Sequence, residues 1–167
     1  IDFKKIGNNI VIFEQKMFYY KLNLYYEDFI WQGTKAVKRK NFISPQWLRN
    51  IKGKKYPKWR LDTLFSKKKY SNLIFIKDGG WHFTCLRTPE QLEKKLLNFA
   101  HHYEFEESGL QLDDIKKLIL EKRVMYDHTI DQKGYKWSGT SILKKLNIDF
   151  LPKYISSNSH KYSDWLD

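Results

Sequence analysis

The feature that most constrains this sequence is the stretch 73–102, LIFIKDGGWHFTCLRTPEQLEKKLLNFAHH. Its short apolar run is typical of a buried strand, and the glycine pair that follows permits a bulge or a close backbone approach. Thr88 can then cap a helix, Pro89 suits the first turn and Gln91 completes a capping box. We therefore expect one continuous or bulged strand over LIFI and WHFTCL, followed by a helix that packs beside the sheet and carries two histidines at its end.

The rest of the chain predicts further strands before this stretch and further helices after it. Residues 10–26 are rich in β-branched and aromatic side chains and predict one or two strands. Residues 29–38 predict the next strand, with Gly33 at a crowded point, and the polar, basic residues 52–70 predict a loop. Helices are expected to begin at Ser44 and Pro45, near Asp113 and Asp114, and around Pro152. Strands that come early and helices that come late favour an α/β or α+β fold.

The length and composition of the chain limit the number of domains and the kinds of partner that it can bind. The 167 residues suit one domain or part of one, and Lys and Arg exceed Asp and Glu by 31 to 19, a formal net charge of +12. This surplus indicates either a phosphate-bearing partner or simply a solvated basic surface. The single cysteine, Cys85, excludes an intramolecular disulfide and fits a reducing compartment; we interpret it as a small core residue rather than a nucleophile. No apolar run approaches the roughly 20 residues that span a bilayer.

Two histidines are candidate functional residues. His82, between Trp81 and Phe83, is either a core histidine held by one hydrogen bond or a metal or phosphate ligand that reaches into a cleft. His101 lies nearly opposite the apolar stripe of its predicted helix, so it is either a surface residue or part of a site. The histidine spacing and the lack of a cysteine pair argue against structural zinc. Rossmann, P-loop and serine-hydrolase motifs are absent from the sequence.

The order of the motifs points to a family. FYYKLN, WQGTK, SPQWLRN, DGGWHF, PEQLEKKLLNFAHH and LPKYISSNSHKYSDWL follow one another along nearly the whole chain. This series resembles glycosyltransferase family 17, the β-1,4-mannosyl-glycoprotein 4-β-N-acetylglucosaminyltransferase type with its bacterial and viral relatives. The Gly-Trp-His-Phe element, the helix with a Phe-Ala-His ending and the Pro-Lys-Tyr segment carry the resemblance.

The resemblance implies a GT-A-like α/β fold and inverting transfer from a nucleotide sugar to a glycan or other carbohydrate acceptor. It also implies a divalent metal, Mn²⁺ or Mg²⁺. The family places an Asp-x-Asp motif before the FYY strand, but no such motif precedes residue 10 here, and the chain begins with Ile1. We therefore expect residues 1–167 to be the C-terminal portion of one glycosyltransferase domain, inactive alone, with its main metal ligands outside this chain. A cytoplasmic or membrane-peripheral location is expected.

The resemblance also suggests roles for particular residues. His82 completes the metal shell or contacts the diphosphate, and Glu90 is the candidate catalytic base. The remaining expected substrate-binding residues are Trp81, Gly80, Arg49, His101 and Trp31. Arg49 and Glu90 have an equally simple interpretation as ordinary helix residues, and Glu104 departs from the family spacing. The alternatives are a basic module that binds polyanions such as nucleic acid, and a sugar-binding domain without catalysis.

Overall fold

The computed structural model describes residues 4, 6–7, 9–57, 59–99, 102–130 and 134–167. The strands are β1 (Ile10–Phe13), β2 (Gln15–Tyr19), β3 (Leu24–Trp31), β4 (Lys35–Ala36), β5 (Leu73–Ile76), β6 (Trp81–Thr84) and β7 (Lys144–Lys145). The α-helices are α1 (Pro45–Asn50), α2 (Asp62–Phe65), α3 (Pro89–Leu97), α4 (His102–Ser108), α5 (Leu112–Leu120) and α6 (Lys153–Ser157). Short 3₁₀ helices cover Arg39–Asn41, Ile148–Phe150 and Ser159–Trp165.

The chain divides into two compact units. Unit 1 comprises residues 1–15 and 30–80, and unit 2 comprises residues 16–29 and 81–167. Each unit is thus built from two separate stretches of sequence.

Unit 1 contains a three-stranded mixed sheet of order β4-β1-β5, in which β1 pairs antiparallel with β4 and parallel with β5. Ile10 and Ile12 of β1 are buried against Leu73 and Ile51. The aromatic Trp47 of α1 packs on this core. The apolar run that predicted a buried strand therefore forms one edge of this sheet.

Unit 2 contains most of a second mixed sheet, of order β6-β2-β3-β7. Strand β2 pairs parallel with β6, and β3 pairs antiparallel with β7. Phe18, Leu22 and Leu151 are buried together on this sheet. The protein is therefore a mixed α/β structure with flanking helices, as the sequence predicted at this level.

Helix starts agree with the sequence. The Ser44 hydroxyl accepts a hydrogen bond from Trp47 N at 3.1 Å, and Pro45 occupies the first turn of α1. At α3, Thr88 and Gln91 form the expected capping box. These caps satisfy backbone N–H groups that have no partner within a helix, so they fix where each helix begins.

Two expectations for the stretch 73–102 were wrong. LIFI and WHFT are not one strand: β5 belongs to the sheet of unit 1 and β6 to the sheet of unit 2. The helix from Pro89 also ends at Leu97, before the histidines, and α4 begins at His102.

Backbone geometry explains both glycines between β5 and β6. A Cβ on Gly79 would lie 2.9 Å from the Cβ of Phe13, and Gly80 has a φ of +126°. The first position lacks room for a side chain and the second adopts a backbone conformation reserved for glycine. The pair is therefore required by the fold, whether or not a ligand lies near it. No helix among the described residues is long and apolar enough to cross a membrane.

Candidate functional site

An open cleft in unit 2 combines aromatic and acidic side chains. Its volume is about 440 Å³. It is lined by Glu104, Glu107 and Ser108 of α4, by Tyr126, and by Gly134, Tyr135, Lys136 and Trp137 of the loop that precedes β7. Its size is that of a small-ligand site.

The aromatic wall of the cleft is held in place by ring packing. Trp137 meets Tyr126 edge-on, with centroids 5.2 Å apart and planes at 83°, and it also contacts the buried Phe105 at 5.6 Å. The more exposed Tyr135 is fixed by its hydroxyl, which donates to the carbonyl oxygen of Ser108 at 3.1 Å. These contacts orient the rings before any ligand arrives.

The polar groups of the cleft carry both signs of charge. Glu104 and Glu107 are exposed on α4, where their carboxylates can accept hydrogen bonds from hydroxyl groups. Lys136 Nζ lies over the ring of Tyr126, 5.6 Å from its centroid. The cleft therefore offers flat apolar faces beside strong acceptors and one cation.

Asp127 anchors the segment that forms the aromatic wall. Its buried Oδ1 accepts from the Tyr26 hydroxyl at 2.7 Å and from the N and Oγ1 of Thr129 at 2.8 and 2.6 Å. Its Oδ2 accepts from the hydroxyls of Thr140 and Ser141, both at 2.8 Å. Burial by itself raises the pKa of Asp127, but these hydrogen bonds outweigh it and hold the pKa well below 3.8. The carboxylate is thus ionised and tied to three separate parts of unit 2.

His128 packs against Tyr126 of the cleft wall, but neither His128 nor His82 lines the cleft itself. The His128 ring stacks on Phe29 at 4.9 Å and meets Tyr126 edge-on at 4.9 Å. The pKa of His128 is lowered to about 4, mainly by burial and then by the charge of Lys136. Asp127 opposes this shift, and His82 makes a smaller contribution to it. Burial also lowers the pKa of His82. Both imidazoles are therefore neutral near pH 7.

Trp81 and Glu90 lie in unit 2 but do not line this cleft. Trp81 Nε1 donates to the carbonyl oxygen of Phe150 at 2.8 Å. Glu90 is exposed in the first turn of α3, with Lys116 at 3.7 Å. Hydrogen bonds from its own backbone and from Thr88 lower the pKa of Glu90. This makes it a weaker base than an ordinary carboxylate, so the geometry does not favour Glu90 as the base.

The other expected residues lie elsewhere. Arg49 in α1, Trp31 at the end of β3 and Gly80 belong to unit 1. The Arg49 carbonyl oxygen accepts from Lys35 Nζ at 2.8 Å. The Trp31 ring fills the space that a side chain on residue 33 would need, which explains Gly33. His101 lies outside the described residues.

A metal centre is not assembled by the residues that the structure describes. Within them, no three His, Cys, Asp or Glu side chains come together in a way that could hold an ion. The metal role of His82 therefore stays a prediction that depends on ligands beyond the described residues.

The cleft residues were missed in the sequence because no motif marks them. Tyr126, Trp137 and Glu107 come from α4 and from a long loop with no regular helix or strand period. The sequence feature that could have pointed to the cleft is the segment GYKWSG, because aromatic residues flanked by glycines indicate an exposed aromatic loop. Comparisons of the chain with models of protein families, with curated proteins and with solved structures found no match.

Proposed function

We propose that this protein acts as a GT-A-type glycosyltransferase that moves a sugar of the N-acetylglucosamine type from a nucleotide sugar to a glycan acceptor with inversion. The observation that carries the proposal is the cleft in which Tyr126, Tyr135 and Trp137 lie beside Glu104 and Glu107. A pyranose ring presents C–H groups on its faces and hydroxyl donors around its edge. Aromatic rings match the former and carboxylates match the latter.

Charge favours a neutral ligand in this cleft over a polyanion. Unit 2 contains fifteen Lys and Arg residues against fifteen Asp and Glu residues, so its formal net charge is zero. Glu104 and Glu107 would repel phosphate groups at the cleft itself, so the cleft is proposed as the site of the glycan acceptor and not of the nucleotide diphosphate. The cleft in unit 2 therefore gives no support to the alternative of a polyanion-binding module.

The cleft suggests how the roles are divided. Glu107 is better placed than Glu90 to accept a proton from an acceptor hydroxyl, because it lines the cleft. His82 is neutral near pH 7 and is suited to contact a divalent cation or the leaving diphosphate. When bound, Mn²⁺ or Mg²⁺ would stabilise the charge that develops on the diphosphate.

Glycan binding at the cleft is tested by titrating the chain with neutral pyranose oligosaccharides and following saturation-transfer NMR. Tyr135→Ala and Glu107→Gln are each expected to weaken binding about tenfold, equivalent to about 1.4 kcal/mol. Tyr154→Ala and Glu106→Gln are matched controls, because both side chains are exposed in unit 2 but do not line the cleft. Equal affinity in the cleft and control variants would contradict the site.

Catalysis requires a separate assay on the full-length enzyme, because residues 1–167 are expected to be inactive alone. The assay follows the release of nucleoside diphosphate from nucleotide sugars with Mn²⁺ and a glycan acceptor. His82→Asn is expected to lower turnover by roughly two to three orders of magnitude, as removal of a charge-stabilising group does. Its melting temperature should stay near that of the wild type. A lowered melting temperature with normal turnover would show a core histidine. Glycan binding without nucleotide-sugar binding would identify a sugar-binding domain without catalysis.

A further inference from the structure

The whole charge surplus of the protein resides in unit 1. This unit has sixteen Lys and Arg residues against four Asp and Glu residues, whereas unit 2 is balanced. Residues 52–70, here called the basic loop, contain eight Lys and Arg residues and one acid, Asp62. Such a concentration creates a local positive field that attracts anionic surfaces.

The basic loop has a stem that is tied to the core of unit 1. Lys52 N donates to the carbonyl oxygen of Lys68 at 2.8 Å, and Tyr56 N donates to that of Tyr70 at 3.3 Å. The Tyr70 hydroxyl accepts from Trp47 Nε1 at 2.9 Å. The loop is therefore held at its base on α1.

Interactions within the loop fix the conformation of its outer part. Asp62 accepts two hydrogen bonds from the Arg60 guanidinium, both at 2.8 Å, and one from Lys69 Nζ at 2.7 Å. The Arg60 guanidinium also lies 5.4 Å from the centroid of the Tyr56 ring. These bonds link Asp62, the first residue of α2, to the segments before and after the helix.

The outer part of the loop exposes large apolar side chains. Trp59 is 79% exposed, Leu61 and Leu64 are each 73% exposed, and Phe65 is 88% exposed. We call these four residues the apolar tip. Exposure of four large apolar residues within seven positions is uncommon on a soluble surface and marks an interaction site.

We propose that the basic loop docks unit 1 onto an anionic lipid bilayer, with the apolar tip inserted among the acyl chains near the headgroups. Aromatic and leucine side chains flanked by lysines are the combination that binds this interface. Lysines near the membrane surface add electrostatic attraction to anionic headgroups. A nucleic acid would match the charge but would leave Leu61, Leu64 and Phe65 in water. This inference is independent of the glycosyltransferase proposal.

The test is co-sedimentation of the chain with vesicles of phosphatidylcholine alone or with about 30% phosphatidylserine, at low and high salt. Binding is expected only to the anionic vesicles and should weaken at least tenfold in high salt. Leu64→Ser combined with Phe65→Ser should weaken binding about tenfold or more, and Lys67→Gln combined with Lys68→Gln should do the same. Leu120→Ser is the apolar control, since Leu120 is an exposed leucine of unit 2.

Insertion is followed by tryptophan fluorescence. The difference between the wild type and Trp59→Phe should show a blue-shifted emission on addition of anionic vesicles. Equal binding to neutral vesicles, or binding that needs the lysines but not the apolar tip, would overturn the proposal. So would binding to mixed-sequence RNA, or self-association through the apolar tip, without binding to vesicles.

Discussion

The Asp127→Asn substitution tests whether one buried carboxylate holds the segment that forms the cleft. Asp127 accepts five hydrogen bonds, from Tyr26, Thr129, Thr140 and Ser141. Asparagine keeps a carbonyl oxygen for Tyr26 and Thr129 but turns an amide donor toward the other two hydroxyls. It also makes every remaining bond a bond to a neutral group.

The magnitude follows from the bonds. A hydrogen bond to a charged group contributes about 1 kcal/mol more than one between neutral groups, so five such bonds lose about 5 kcal/mol. About half of this is offset because a neutral amide costs less to bury than a carboxylate. We expect the free energy of unfolding to fall by about 2–3 kcal/mol, which lowers the melting temperature of a chain of this size by about 4–12 °C.

The pH dependence gives an independent measure. The pKa of Asp127 is lower in the folded than in the unfolded state. Its contribution to the free energy of unfolding is therefore fully present above the pKa of the unfolded state and is lost as the pH falls below that value. Asp127→Asn should therefore be less stable than the wild type at pH 7, with the difference shrinking below about pH 4.

Urea unfolding followed by circular dichroism at several pH values measures both effects. Asp113→Asn is the matched control, because the Asp113 side chain is 96% exposed and should change stability by less than about 0.5 kcal/mol. If Asp127→Asn is as stable as Asp113→Asn at pH 7, the network does not have the strength that its geometry implies.

Two further predictions concern His128 and Cys85. Because burial and the charge of Lys136 lower the pKa of His128, its imidazole should titrate in NMR spectra near pH 4. As the pH falls from about 6.5 to 4, His128 is protonated in the unfolded chain but not in the folded one, so the free energy of unfolding decreases. His128→Gln should remove this decrease. An NMR titration midpoint of His128 near pH 6.5 would refute the prediction. Burial also raises the pKa of the Cys85 thiol. Native Cys85 should therefore react with Ellman's reagent at pH 7.5 at least about tenfold more slowly than the urea-unfolded chain, and equal rates would show an accessible thiolate.

Features that depend on neighbours in sequence were predicted correctly. The starts of α1 and α3 follow from Ser44 and from Thr88 with Gln91, because a cap bonds backbone groups only two or three residues away. For the glycine pair before Trp81 the sequence indicated a bulge or a close backbone approach, but the pair in fact separates two strands of different sheets. The local backbone requires glycine at position 80 in any surroundings, since its φ is +126°.

Features that depend on distant partners were not predicted. Whether LIFI and WHFT belong to one sheet is decided by β1 and β2, some 60 residues earlier in the chain, with which they pair. The cleft likewise needs α4 and the loop of Trp137, and the Asp127 network needs Tyr26 from β3. The position of a side chain in the sequence does not reveal which distant residues it will contact in the folded protein.

The distribution of charge shows this most clearly. The sequence alone determines a net charge of +12, and the densest basic runs are visible in it. Only the tertiary structure assigns the entire surplus to unit 1, because that unit joins residues 1–15 to residues 30–80 while the intervening strands fold into unit 2. Electrostatic attraction depends on distances in space, so the division between a charge-balanced unit 2 and a basic unit 1 is decided by the packing of the chain.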